Sequence, residues 1–286
     1  MTDMDRRAFL LAGAGLAIAA ACGGKGDDDA VARVSDPSGA AARKKSLNVV
    51  VATYWHMTGI DERITVGLIN AEGTGPLPLT EPVALTIDGQ PVASTVHTDG
   101  TPMPYLLVHH RFAEPGVVTV GATYKGQKGE AAVQVLDGRG VKVPYRSRPM
   151  IATPSPTPSA PMGVDPICTA DPPCGLHEVS LDAALAEKRP LAVLFSTPAR
   201  CMSRFCGPVL DSLLAQQGSY ADRVRFLHVE IYKDRTSQDL APTVEAYGLQ
   251  MEPVLFLAGA DGVVHERLDN AYDRVELKDA LDRLVS

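Results

Sequence analysis

Cys201 and Cys206 are the residues whose setting best suits chemistry. They lie in Leu194-Phe-Ser-Thr-Pro-Ala-Arg-Cys201-Met-Ser-Arg-Phe-Cys206-Gly-Pro-Val209, where an apolar strand, Leu191 to Phe195, runs into a loop and then a helical pattern. Gly207-Pro208 places Cys206 at the start of that helix. There the backbone dipole and free N–H groups favour thiolate, the reactive form of the side chain. Arg200 and Arg204 add positive charge that lowers a nearby thiol pKa. The chemistry suited to this arrangement is thiol–disulfide exchange, although the spacing is C-x4-C and not C-x-x-C. Residues five apart on a regular helix are separated by about 7.5 Å of rise, beyond the ~4.4–6.8 Å Cα spacing of a disulfide. The pair can be bridged only if residues 201–205 form a loop and the helix starts at Gly207 or Pro208, a start that Pro208 also favours. A Cys201–Cys206 disulfide is therefore expected in the oxidised protein.

The chain has five cysteines: Cys22, Cys168, Cys174, Cys201 and Cys206. An odd count in an exported protein needs an explanation, and the N-terminus supplies one. Arg6-Arg7-Ala8-Phe9-Leu10 resembles a twin-arginine export signal. The weakly apolar run from Leu10 to Ala21 is too short to cross ~30 Å of hydrocarbon as a helix. Ile18-Ala-Ala-Ala-Cys22 resembles a lipoprotein box, although Ala19 stands where Leu is preferred. Lipidation of Cys22 leaves two sequence-local pairs, and an oxidising compartment allows both to be disulfides. The second, Cys168–Cys174, is C-x5-C around Asp171-Pro-Pro and reads as a small closed loop. These features place the chain in the cell envelope, lipid-anchored to the outer face of the cytoplasmic membrane.

The formal net charge is −7, with no long basic run, which argues against nucleic acid as a partner. No Gly-rich phosphate loop is present. No cofactor is implied, and sequence alone assigns no metal ligand.

The elements that must position the cysteines fall into segments. Residues 1–22 are the signal and 23–46 a Gly- and Asp-rich tether. Over 47–137 the pattern is β. Ile64, Val66 and Leu68 alternate, as do Val83, Leu85 and Ile87, and Ala131, Val133 and Val135, with turns at Asp88-Gly89, Asp99-Gly100 and Lys125-Gly126. About seven short strands without helical period predict an immunoglobulin-like β-sandwich. Residues 138–175 are Pro-rich and predict a semi-rigid spacer leaning to polyproline II. From residue 176 helix and strand alternate: Leu181 to Lys188 helical with Ser180 as cap, a strand to Phe195, a helix from Pro208, a strand over 224–231, a helix over 237–247, strands over 252–258 and 263–268, and a helix over 274–284. This is an α/β pattern; the whole chain reads as multidomain, all-β followed by α/β.

Residues 176–286 resemble the thioredoxin superfamily. The likeness rests on the strand ending at Phe195 followed by Cys206-Gly207-Pro208, on Glu252-Pro253 opening a strand, and on the closing hairpin and helix. The family reads Trp-Cys-Gly-Pro-Cys; here Phe205 stands for the Trp and Val209 for the second cysteine. The resemblance implies a cis-proline at Pro253 facing the active cysteines and shaping a substrate groove. Counted from the helix, Cys206 takes the nucleophile's place; counted from the strand, that place falls near Cys201. The family's buried acid is replaced by Leu194.

The favoured reading is an exported thiol–disulfide oxidoreductase, with Cys206 as thiolate, Cys201 resolving the mixed disulfide, and exported protein thiols or disulfides as partners. The alternatives are a redox-inert scaffold lipoprotein with a structural disulfide, or a copper-handling lipoprotein using His97, Met103, His109, His110 and Trp55-His56-Met57 of the sandwich. His109 and His110, adjacent on a strand, point to opposite faces. His177, His228 and His265 lack an acid or nucleophile at motif spacing and read as ordinary structural residues, and Asp234 reads as a helix cap.

Overall fold

The structure, a computed structural model, describes residues 47–286 except residue 202. The export signal, Cys22 and the tether lie outside the described residues. The first half contains nine strands: β1 (Asn48–Val51), β2 (His56–Met57), β3 (Glu62–Ile69), β4 (Ala84–Ile87), β5 (Gln90–Val92), β6 (Thr95–His97), β7 (Tyr105–His110), β8 (Gly116–Tyr124) and β9 (Gln127–Leu136). They form two sheets, ordered β1-β3-β7-β6 and β2-β9-β8-β4-β5. Alternation turns Ile64, Val66, Leu68, Leu106 and Val108 of one sheet toward Leu85, Ile87, Val118, Val120 and Val135 of the other. This is a β-sandwich. Its strand count exceeds the expected seven because β2, β5 and β6 are too short to show alternation in the sequence.

The second half contains α1 (Leu181–Ala186), β10 (Leu191–Ser196), α2 (Cys206–Tyr220), β11 (Arg225–Glu230), α3 (Pro242–Tyr247), β12 (Val254–Ala258), β13 (Val264–Asp269) and α4 (Arg274–Val285). The sheet order is β11-β10-β12-β13. β10 and β11 are parallel, whereas β12 and β13 are antiparallel to their neighbours. Helices α2 and α4 cover one face through Leu210, Leu213, Leu277 and Leu281, packed on Leu194, Leu255 and Leu257. Helices α1 and α3 cover the other through Leu181, Ala184, Val244 and Tyr247, packed on Val193, Phe195 and Phe256. This is an α/β arrangement, one mixed sheet between two pairs of helices. Helix α3 is shorter than expected because Pro242 starts it and Gly248, at φ +67°, ends it in the left-handed region. Asp234 is no helix cap; its carboxylate accepts the N–H groups of Thr236 and Ser237 in a turn. Nor does the Ser180 side chain cap α1; its hydroxyl accepts from Ser155 N and donates to Asp182.

The segment 138–175 is not the free spacer expected from its prolines. Val143, Met150 and Val164 are buried in the α1/α3 face of the α/β half. Ser147 N and Met150 N donate to Val264 O and Gly262 O, Val264 N donates to Arg148 O, and Asp165 N donates to Lys233 O. The prolines coexist with this packing because the intervening residues supply the N–H donors.

The two halves are also joined directly. Arg63 of β3, buried, forms an ion pair with Glu276 of α4. Its Nη2 donates to Glu276 Oε2 at 2.8 Å, and Tyr105 Oη donates to the same carboxylate. Asp273 accepts from Thr98 N and Asp99 N and pairs with His97 Nδ1 at 3.0 Å. Arg267 donates to Trp55 O at 2.7 Å and lies over the indole. Buried charges persist only when paired and hydrogen-bonded, so these contacts fix the sandwich against the α/β half. Among the described residues no helix is long and apolar enough to cross a membrane.

Candidate active site at the Cys201–Cys206 loop

Strand β10 ends at Ser196, and residues 197–205 loop to α2. The chain turns at Arg204, a non-glycine residue at φ +64°. Helix α2 begins at Cys206, so residues 201–205 are outside the helix. The register of β10 with β12 sets Phe195 opposite Val254 and brings Glu252-Pro253 alongside the end of β10. The Glu252–Pro253 peptide is cis.

Both cysteines are free thiols; the expected Cys201–Cys206 disulfide is not formed in this structure. The backbone N–H of Cys206 donates to Cys201 Sγ at 3.1 Å, and Ser203 Oγ lies 3.3 Å from the same sulfur. Cys206 itself is 0% exposed, whereas Cys201 is half-buried.

The two thiols diverge in acidity, and in the opposite sense to the sequence expectation. The Cys201 thiol is lowered to about 5, chiefly by a hydrogen bond from the Cys206 thiol and further by Ser203 and the Cys206 N–H. Burial, then the neighbouring Cys201, pushes the Cys206 thiol up. Position at a helix start favours Cys206 thiolate, but complete burial outweighs it, since removing a charge from water costs more than the first-turn dipole returns. Cys201 is thus the more acidic thiol of the two, held by the Cys206 N–H.

The arginines do not act as expected. Arg200 is drawn away: it lies 4.3 Å over the Tyr232 ring and donates to Asp234 O and Ser237 O. Arg204 is exposed. Phe205 and Val209, at the places of the family's Trp and second cysteine, are both core residues beside Leu194.

A carboxylate does reach the site, from a residue the sequence marked only as preceding a proline. A Glu252 oxygen and the two sulfurs all lie within 4.8 Å of one another, so these three residues also form a possible three-donor metal set. Leu194 is apolar, and the acid at this site comes from Glu252, two residues before β12. Tyr54, on the segment between β1 and β2, donates its hydroxyl to Glu252 O at 2.8 Å and its backbone N–H to Asp269 Oδ2 at 3.0 Å. An apolar groove lined by Val50, Ile69, Met103, Pro104, Phe205 and Ala271 opens between the sandwich and the cysteine loop.

The Cys168–Cys174 disulfide expected from sequence is likewise not formed. Both residues are free thiols, with the sulfurs 3.7 Å apart and turned toward His228 and His177. The sandwich histidines proposed for copper are dispersed among other partners. His97 binds Asp273 and stacks on Tyr105, His109 faces Asp61 at 3.2 Å, and His110 and His56 each meet the edge of Phe112.

No protein-family model matches the chain, and no curated protein matches it. Among solved structures it is similar to a thiol:disulfide interchange protein of the thioredoxin family from Chlorobium tepidum TLS, at 14% identity over 49% of this chain and 98% of that chain, with a TM-score of 0.35. It is also similar to the Lin-41 filamin domain, at 20% identity over 33% of this chain and 96% of that chain, with a TM-score of 0.25. A third is the titin M3 domain, at 13% identity over 31% of this chain and 93% of that chain, with a TM-score of 0.21.

Proposed function

We propose that this chain is a thiol–disulfide oxidoreductase in which Cys201 is the nucleophile and Cys206 the resolving thiol, the reverse of the order suggested by the helix alone. The observation that carries this reading is the half-buried, acidified Cys201 held by a fully buried Cys206. Cys201 thiolate attacks a substrate disulfide, one substrate sulfur leaves as thiolate, and a mixed disulfide forms. Cys206 then passes its proton to the Glu252 carboxylate and attacks Cys201 Sγ. The second substrate sulfur leaves as thiolate, and the chain holds a Cys201–Cys206 disulfide. Run backwards, the same steps oxidise a substrate dithiol. Pro253, beside Glu252 and following a cis peptide, is the residue proposed to meet the substrate backbone.

The proposed substrates are exported proteins, reached from a lipid anchor on Cys22 at the outer face of the cytoplasmic membrane. Supporting that placement are Arg6-Arg7 and the lipoprotein-like Ile18-Ala-Ala-Ala-Cys22. A disulfide-reduction assay on the wild type, Cys201→Ser and Cys206→Ser tests the chemistry. Cys201→Ser abolishes turnover and Cys206→Ser accumulates the mixed disulfide on Cys201. An inactive wild type, or turnover untouched by both substitutions, assigns the loop a purely structural role.

A further inference from the structure

Cys168, Cys174, His177 and His228 come together from three places: the Pro-rich segment, the turn before α1, and the middle of β11. Cys168 is 5% exposed, His177 4% and His228 2%. One ligand atom from each residue lies within 4.8 Å of all the others. Cys168 Sγ and Cys174 Sγ are 3.7 Å apart. Cys174 Sγ is 3.4 Å from His177 Nε2 and 3.4 Å from His228 Nδ1. Cys168 Sγ is 3.9 Å from His228 Nδ1, and the two ring nitrogens are 3.1 Å apart.

These separations are those of a tetrahedron's edges. Zn–S of about 2.3 Å and Zn–N of about 2.0–2.1 Å in tetrahedral geometry set S···S, S···N and N···N edges of about 3.8, 3.5 and 3.3 Å. Hydrogen bonding alone accounts for the cluster poorly. His228 Nε2 lies 2.8 Å from Ser196 Oγ and 3.1 Å from Ser196 O; the carbonyl can only accept, so a proton on Nε2 serves this contact and leaves Nδ1 a single lone pair toward the cluster. That lone pair faces Cys168, Cys174 and His177 at once, and only one of them can donate to it. A central cation uses all four groups. The outer contacts fit the same role. Ser196 holds the His228 ring through Nε2, the nitrogen turned away from the cluster, as hydrogen bonds to metal-bound imidazoles do, and Cys174 N donates to Cys168 Sγ at 3.4 Å.

We infer that Cys168, Cys174, His177 and His228 form a closed Cys2His2 site for a tetrahedral divalent metal of the zinc class. Four protein donors leave no position for a substrate, so the site is structural. It ties the segment before the α/β half to β11. It also lies close to the cysteine loop, because Thr169 Oγ1, one residue from Cys168, accepts from Ala199 N at 3.1 Å. The site stands independently of the redox function proposed for Cys201 and Cys206.

The test uses the chain purified with its reduced thiols, stripped with chelator and titrated with Zn2+ and, separately, with Co2+. The expected result is one tightly held equivalent of Zn2+, and a Co2+ spectrum with tetrahedral d–d bands and thiolate charge transfer. Cys201→Ser/Cys206→Ser keeps both signals. His228→Asn and Cys168→Ser/Cys174→Ser weaken Zn2+ binding at least 10-fold, as loss of a ligand from a closed site requires. The proposal is overturned if the wild type binds no Zn2+ stoichiometrically, if binding vanishes with Cys201 and Cys206, or if mass spectrometry of the metal-free chain purified without reductant finds Cys168 linked to Cys174 and reduction restores no binding. The wild-type titration decides the matter even where a variant fails to fold.

Discussion

Cys206 stabilises Cys201 twice, through its backbone N–H at 3.1 Å and through its thiol. The two contacts separate by mutation, since only the thiol is lost on substitution. In Cys206→Ala the N–H contact persists but the largest cause of the Cys201 shift is gone. The expected outcome is an apparent Cys201 pKa well above the wild-type value of about 5, moving toward the ~8.5 of a free thiol. Cys206→Ser, which keeps an O–H donor, shifts it less. The pH profile of iodoacetamide alkylation of the reduced chain measures both. A wild-type profile with its midpoint at the free-thiol value removes the basis for Cys201 as nucleophile.

In the proposed reaction Glu252, with a carboxylate oxygen within 4.8 Å of both sulfurs, accepts the proton that Cys206 must lose before it attacks, so its removal acts on the second step alone. Glu252→Gln should leave formation of the mixed disulfide unchanged and slow its resolution by on the order of 100-fold, the lower end of what a positioned base contributes. Single-turnover reaction with an aromatic disulfide, followed by leaving-group release and then by mass, separates the two rates. Equal slowing of both steps assigns Glu252 to substrate positioning instead.

What sequence reveals here is mostly what is local. The strand to Phe195, the loop and the helix behind Cys206 were legible because apolar run, Pro208 and cysteine spacing lie within twenty residues of one another. The roles of the two cysteines were not, because the complete burial of Cys206 comes from tertiary packing and not from its neighbours in sequence. Glu252 was visible as the residue before Pro253, but its nearness to the sulfurs depends on the β10–β12 register. Cys168 and Cys174 read as a disulfide and His177 as an ordinary structural residue, because His228 completes the group only from β11, where it looks like one strand residue among others. Prolines at 144, 149, 154 and 161 read as a spacer because composition reports backbone stiffness and not which side chains find a core.

The Arg63–Glu276 pair holds the sandwich to α4 in a dry environment, where loss of one partner strands the other. Arg63→Ala leaves the Glu276 carboxylate buried with only the Tyr105 hydroxyl and its own helix beside it. The expected cost is about 3–5 kcal/mol, read as a lower urea midpoint. Arg63→Met with Glu276→Met should lose much less, because no buried charge remains. A negligible effect of Arg63→Ala shows that the two halves are held together by other contacts.

His97 gives the same interface a pH dependence of definite sign. Burial opposes its charging, but the hydrogen bond and charge of Asp273, with Glu276 adding to them and Arg63 opposing, leave its pKa raised. Tyr105 stacks on the ring at 5.1 Å between centroids and supplies no charge at neutral pH. A raised folded pKa means that the folded state holds a proton the unfolded chain has released. The contribution is therefore fully present below the unfolded value of about 6.5 and disappears as pH rises through the folded value. Asp273 is lowered in turn, so its half of the pairing fails only in acid, below the ordinary carboxylate range. Thermal melts of the wild type and His97→Gln should accordingly differ most below about pH 6.5 and converge as pH rises above it. A difference that stays constant across that range would mean that His97 contributes packing against Tyr105 and no charge.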